Sequence, residues 1–160
     1  MRYLLDFDYT LFNADAFIAQ VEADGRGETL ITPQIWQHYQ ARDFFYDDVL
    51  DWLATKDPAD LHILTAMTPS LGDAACEFQR AKLKNAALDD YVAGTTFMIG
   101  DKGPYVADLF DGRPTCFVDD SLLHHDSVQA TVPKVISLLI QRPGVTHVVP
   151  SPNAAIHTVA

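Results

Sequence analysis

A chain of 160 residues can enclose one real hydrophobic core but not two, and 48% hydrophobic with 21% charged residues is the balance of a globular protein, not a disordered one. The net charge of -11 argues against a nucleic-acid backbone as partner, because such binding needs a basic face, although a few acids gathered around a metal ion can still bind a small phosphate. No apolar run is long enough to span a bilayer, and the first one is broken at once by Asp6 and Asp8, where a secretory leader needs an uncharged stretch. The expectation is a cytoplasmic protein with no membrane partner.

In chain order, Arg2 to Asp6 is a short apolar run ending in acids, a predicted buried strand. Asp15 to Ala23 and Pro33 to Arg42 carry helical patterns, separated by the loop Gly25-Arg26-Gly27. Tyr46 to Thr55 is acidic and amphipathic, and after the breaker Asp57-Pro58 a second strand runs from Leu61 to Thr65. Ser70 to Leu88 is predicted helical, capped by Ser70, with Ala74, Ala75, Phe78, Ala81 and Leu88 as its stripe. Thr95 to Ile99 is a third strand, Pro104 to Phe110 a short helix, and Thr115 to Val118 a fourth strand running into Asp119-Asp120. Ser121 to Thr131 is a helix and Val135 to Ile140 a fifth strand, because Pro133 would break one longer helix and Val135-Ile136 favours a strand. His147 to Val149 is a candidate edge strand, and the tail from Ser151 has no strong pattern. Cys76 and Cys116 read as small buried hydrophobes, not as a disulfide or zinc ligands. Met67, Met98, Phe44 and Phe45 read as core.

Alternating strands and helices predict a three-layer, doubly wound, mostly parallel sheet of Rossmann-like form, with helices on both faces. Ligands of such sheets bind at the carboxyl ends of the strands. There the first strand delivers Asp6-Phe7-Asp8-Tyr9-Thr10, the second Thr65, the fourth Asp119-Asp120, and Lys102 follows the third. Each group alone is weak, since paired acids usually mark a turn and a lone lysine a wet surface. Together they describe one chemistry. Crowded carboxylates repel unless a cation compensates, and oxygen donors without His or Cys favour magnesium. A carboxylate can then attack phosphorus while the lysine and the threonine hydroxyl hold phosphate oxygens. A second carboxyl can protonate the leaving oxygen and later activate water.

The segment Tyr3-Leu-Leu-Asp6-Phe-Asp8-Tyr-Thr10-Leu-Phe12 resembles the first motif of the haloacid dehalogenase-like superfamily. Leu61 to Thr65, Lys102 and Phe117-Val118-Asp119-Asp120-Ser121 resemble its second, third and fourth, so the likeness spans roughly Arg2 to Arg142. The resemblance implies a magnesium-dependent phosphomonoester hydrolase of the phosphatase branch, with Asp6 as the nucleophile that is transiently phosphorylated. Asp8 would be the general acid and base, its backbone carbonyl binding magnesium. Thr65 would hold the phosphoryl group and Lys102 would stabilise the nucleophile. Asp119 would ligate the metal, helped by Asp120, and Thr10 would shape the loop. Asp8 favours phosphoryl transfer over dehalogenation, since dehalogenases of the superfamily lack an aspartate there.

The resemblance also implies one domain over residues 1–160 with a small, helical, cap-like insert at about 13–43. So short an insert leaves an open site, which a second subunit could cover. Trp36, His38, Tyr39 and Arg42 are candidates to face substrate, against the plainer reading that they pack. Lys82 and Lys84 compete with Lys102 but sit mid-helix, where a solvated surface is the plainer reading. Thr68 competes with Thr65, Asp101 reads as a turn residue, and His124 and His125 read as surface or packing residues rather than ligands. The substrate expected is a phosphorylated small molecule, with a phosphoprotein as the alternative. Competing functions are a receiver-like signalling domain, whose lysine would follow the other groups instead of preceding Asp119, and a catalytically idle protein on the same fold.

Overall fold

The computed structural model describes residues 1–143 and the backbone of 156–159. Among these, six strands form one parallel sheet in the order β3-β2-β1-β4-β5-β6: β1 Arg2–Leu5, β2 Leu61–Ala66, β3 Gly94–Met98, β4 Thr115–Asp119, β5 Ile136–Ile140 and β6 Ile156–Val159. Five α-helices, α1 Ala14–Ala23, α2 Val49–Ala54, α3 Asp73–Ala86, α4 Lys102–Leu109 and α5 Leu122–Thr131, complete the described chain together with short 3-10 turns. The central strands β1, β2 and β4 are mostly apolar because both of their faces are covered. Leu5, Leu61, Ile63, Cys116 and Val118 belong to one core with Phe17 and Val21 of α1, Val49 and Leu53 of α2, and Leu83 and Ala86 of α3. The intervening Leu4, Leu64 and Phe117 point the other way, into a second core with Val106 of α4 and Val128 of α5. This alternation gives the three layers.

The chain leaves β1 toward β2 and β3, then crosses to the other side of β1 for β4. The switch point therefore lies between the carboxyl ends of β1 and β4, where neighbouring connections diverge and leave a crevice. Leu5 stands opposite Val118, and the Asp6 N–H donates to the Val118 carbonyl at 2.9 Å. Asp6 and Asp119 are therefore placed side by side by the register itself.

Several predicted elements differ in detail. The helix expected from Ser70 begins at Asp73, because Pro69–Leu71 winds into a separate 3-10 turn and Gly72, at φ 90°, turns the chain before α3. Ser70 makes no cap. Pro33 to Arg42 is not one helix but two 3-10 turns, Pro33–Gln37 and Ala41–Phe44. The predicted 46–55 helix contracts to α2, and α4 starts two residues before Pro104. The tail called patternless contains β6, whose residues pair with β5 from Ser137 to Ile140. The candidate strand at 147–149 lies outside the described residues.

The insert after β1 is packed down, not held apart as a lid. Trp36 stacks on Phe17 with centroids 4.7 Å apart and meets Phe78 of α3 at 5.3 Å. Asn85 of α3 accepts from the Ala41 N–H at 2.6 Å and donates to the Trp36 carbonyl. Arg42 donates to the Ala86 and Ala87 carbonyls at the carboxyl end of α3, and Tyr39 donates to Asp24. Trp36, Tyr39 and Arg42 thus act as packing groups, while His38 is exposed.

Candidate active site

A short tight loop follows β1. The Leu11 and Phe12 N–H groups both donate to the Phe7 carbonyl at 2.9 Å, and Tyr9 N–H returns to the Phe12 carbonyl at 2.8 Å. Tyr9 takes φ 60° to close it. The loop buries Phe7 and Phe12, whose rings stack at 5.5 Å, and so turns Asp6 and Asp8 outward over the sheet's edge. Arg142, just past β5, clamps the same loop: its guanidinium donates twice to the Thr10 carbonyl, at 2.9 and 2.7 Å, and lies over the Tyr46 ring.

Asp6, Asp8, Thr65, Asp119, Asp120 and His124 line one cleft of about 160 Å³. Five of these, Asp6, Asp8, Thr65, Asp119 and Asp120, are named from the sequence as the site, while His124, read there as a surface or packing residue, stands on the cleft wall. The remaining named group, Lys102, lies beneath the cleft instead of on its wall. Its side chain is fully buried and donates to Asp6 Oδ1 and, at 2.6 Å, to Asp119 Oδ2. Lys102 sits on the first turn of α4, and Gly103 explains how it gets so close. A Cβ on Gly103 would stand 2.5 Å from both the Ser127 carbonyl oxygen and Thr131 Oγ1 of α5, so only glycine lets the two helices touch there.

A larger hollow, about 390 Å³, lies over β1, β4 and β5 beside α2. It is mostly apolar, walled by Tyr3, Trp52, Leu138 and Ile140, and has no convergent acids, so the chemistry belongs to the smaller cleft.

The electrostatics are crowded. Burial pushes the Asp6 carboxyl up to about 8; Lys102 opposes the rise, and the charges of Asp119 and Asp8 add to it. Burial alone would lower the Lys102 ammonium, but Asp6 and Asp119 outweigh it and hold it above its ordinary value. Lys102 therefore stays protonated, one positive charge against a group of acids. Carboxylate oxygens of Asp6, Asp119 and Asp120 all lie within 4.8 Å of one another, in buried positions. Three hard oxygen donors with no His or Cys among them fit a hard divalent cation such as magnesium.

Asp8 is held separately. Its two oxygens accept from Lys82 and, at 2.8 Å, from Gln79, whose same amide nitrogen also donates to Thr65 Oγ1 at 2.8 Å. Lys82, expected at the surface, is 4% exposed and lies near the faces of Phe7, Phe12 and Phe78. The signal was in the spacing. The buried positions of α3 are Ala75, Gln79, Lys82, Leu83 and Ala86, a helical stripe that continues through two polar residues. Lys84 is exposed. His125, fully buried, contacts the Asp119 carbonyl through Nε2 at 2.9 Å and the Phe117 ring, so it packs β4 against α5. Met67 is only half-buried, on the wall of a third hollow, and is not core.

Solved structures carry the same architecture. A protein of Burkholderia xenovorans LB400 described as a haloacid dehalogenase-like hydrolase superposes with a TM-score of 0.62 at 18% identity, covering 98% of this chain and 93% of that one. The chain has the fold of the haloacid dehalogenase-like hydrolases. A haloacid dehalogenase-like family hydrolase from Xanthomonas campestris gives 0.59 at 17% identity, with 99% and 90% covered. A family member from Streptococcus pneumoniae gives 0.53 at 13%, with 88% and 84% covered. No family model and no curated protein matches the sequence. In this haloacid dehalogenase-like fold the acid cleft occupies the switch point that the topology reserves for ligands.

Proposed function

We propose that this protein is a magnesium-dependent phosphomonoester hydrolase that forms an aspartyl-phosphate on Asp6. The observation that carries the reading is the buried Lys102 bridging Asp6 and Asp119 beside Asp120, at the end of the two central strands. So costly a cluster of charge is hard to explain as structure, because a buried ion pair seldom stabilises more than apolar packing would. Its neighbours of like fold, described as hydrolases, support the same class of chemistry.

The residues divide the work. An Asp6 oxygen attacks phosphorus, the ester P–O bond breaks, and Asp8 gives its proton to the leaving alcohol oxygen. Asp8 then takes a proton from a water that attacks the same phosphorus, and phosphate departs from Asp6. Thr65 Oγ1, on the cleft wall, is positioned to hold a phosphoryl oxygen. Lys102 orients Asp6 and Asp119 from below. A hard cation held by Asp6, Asp119 and Asp120, with the Asp8 carbonyl, would offset the repulsion between the attacking carboxylate and the phosphate.

Hydrolysis of p-nitrophenyl phosphate tests this. Activity is expected with magnesium, and loss of at least about a thousandfold is expected in Asp6→Asn or with chelator, the scale of removing a covalent nucleophile. A rate indifferent to both would refute it.

A further inference from the structure

The reactive cleft is not closed on all sides. Ala66, at the end of β2, lines the cleft and also a second hollow of about 180 Å³. Gln79 lines that second hollow too, and its amide is the group that holds Asp8 and Thr65. The two spaces therefore meet where the proposed acid stands. A phosphomonoester with its phosphorus beside Asp6 and its ester oxygen beside Asp8 would carry its alcohol portion toward this hollow.

The walls of the hollow are Ile31 from the insert, Met67 and Leu71 from the segment after β2, and Ala75 and Phe78 from α3. None of its lining residues is charged. Its polar side chains are Thr68 and Gln79, the latter already engaged through its nitrogen. Ile31 and Leu71 are 48% and 64% exposed, large apolar groups left in water on the rim. Either alone would be ordinary surface. Two of them bordering one hollow that opens beside an acid cleft make a concave apolar site with few polar groups.

We propose that this hollow is the leaving-group subsite and that it accepts an uncharged, apolar alcohol, so that the preferred substrates are aryl or branched alkyl phosphates. This rests on the phosphatase reading above. A nucleoside or sugar portion would set its hydroxyls against Ile31, Met67, Leu71 and Phe78, with only Thr68 and the Gln79 side-chain oxygen to meet them, and each polar group left unpaired carries a penalty. The chain's net charge of -11 further disfavours an anionic leaving group.

The test is calorimetric titration, with magnesium present, of benzylphosphonate and methylphosphonate, whose P–C bonds resist hydrolysis. Benzylphosphonate is expected to bind at least about tenfold more tightly, the lower end of what one apolar group of methylene size contributes in a fitted pocket. Ile31→Asn combined with Leu71→Asn should abolish that preference, read as the ratio of the two affinities so that any effect common to both phosphonates cancels. If that pair does not fold by circular dichroism, Ile31→Thr with Leu71→Thr should reduce the preference in the same direction. Equal affinity of the two ligands, binding of neither, or a preference that survives the rim substitutions would overturn the proposal. Acetyl phosphate, which barely reaches the hollow, separates the two readings. If its hydrolysis depends on Asp6 while the phosphonates bind equally, the subsite fails and the phosphatase stands. If benzylphosphonate is preferred but no phosphate ester is cleaved, the apolar site stands and hydrolysis fails.

Discussion

Lys102 has no water to solvate it and is met by the buried carboxyl groups of Asp6 and Asp119. Removing it leaves those acids without their shared cation. Lys102→Met is therefore expected to destabilise the chelator-treated protein by about 3–5 kcal/mol, the usual cost of breaking a buried pair from one side. Urea unfolding measures this, and a loss under about 1 kcal/mol would show that the acids were already compensated otherwise. Lys82 has a different job. It contacts neither Asp6 nor Asp119 in the described ion pairs but holds Asp8 from α3. Lys82→Met should release the Asp8 carboxylate from its position. If Asp8 protonates the leaving oxygen, the variant should lose more rate on an alkyl phosphate, whose alkoxide needs a proton, than on p-nitrophenyl phosphate, whose phenolate leaves unaided. A loss of about tenfold or more in the ratio is expected, within the range of a general acid's contribution. Equal losses on both substrates would mean Lys82 only supports the fold.

At the level of elements, α4 and α5 are held at a distance set by a single hydrogen atom. The Gly103 N–H donates to Ser127 Oγ at 3.0 Å, and the space where a side chain would begin is already filled by α5. Gly103→Ala should force the helices apart and cost about 1–3 kcal/mol by overpacking, despite alanine's better helix propensity. Thermal melting would show it, and an unchanged or raised Tm would disprove the close approach. Because Lys102 precedes Gly103 on the same turn, the variant should also weaken catalysis. What could be read from sequence follows the same physics. The strand ends were legible because apolar runs meet acids abruptly at Asp6 and Asp119. The path of the insert was not, because Pro33 to Phe44 takes 3-10 turns imposed by packing of Trp36 and Arg42 against α3, which no local pattern encodes. The strand at 156–159 was missed because four residues carry too little periodicity. Lys82 was misjudged because a lysine in a helix defaults to water, and only the cage of Phe7, Phe12 and Phe78, assembled from distant segments, overrides that default.

For the molecule as a whole, the acid cleft links folding to protons and metal. Burial raises the Asp6 carboxyl from an unfolded value near 3.8 to about 8, so the metal-free folded chain keeps a proton that the unfolded chain releases. The sign follows from linkage: where the native state binds more protons than the unfolded state, stability falls as pH rises. The contribution of Asp6 is complete below about pH 4 and is lost progressively up to about pH 8. A divalent cation competes for the same oxygens and must displace that proton, so its binding strengthens over the same interval. The rise in Tm produced by a fixed excess of magnesium should therefore be small near pH 5.5 and grow toward about pH 8, then level off. Asp6→Asn cannot hold a titrating proton at this position. Its Tm gain with magnesium should be smaller and nearly flat across the range. Differential scanning calorimetry of both proteins at three pH values decides the matter. A magnesium effect of equal size at pH 6 and pH 8.5 in the wild type would mean that Asp6 is not the acid the metal must deprotonate, and that the bridge from Lys102 already fixes it as a carboxylate.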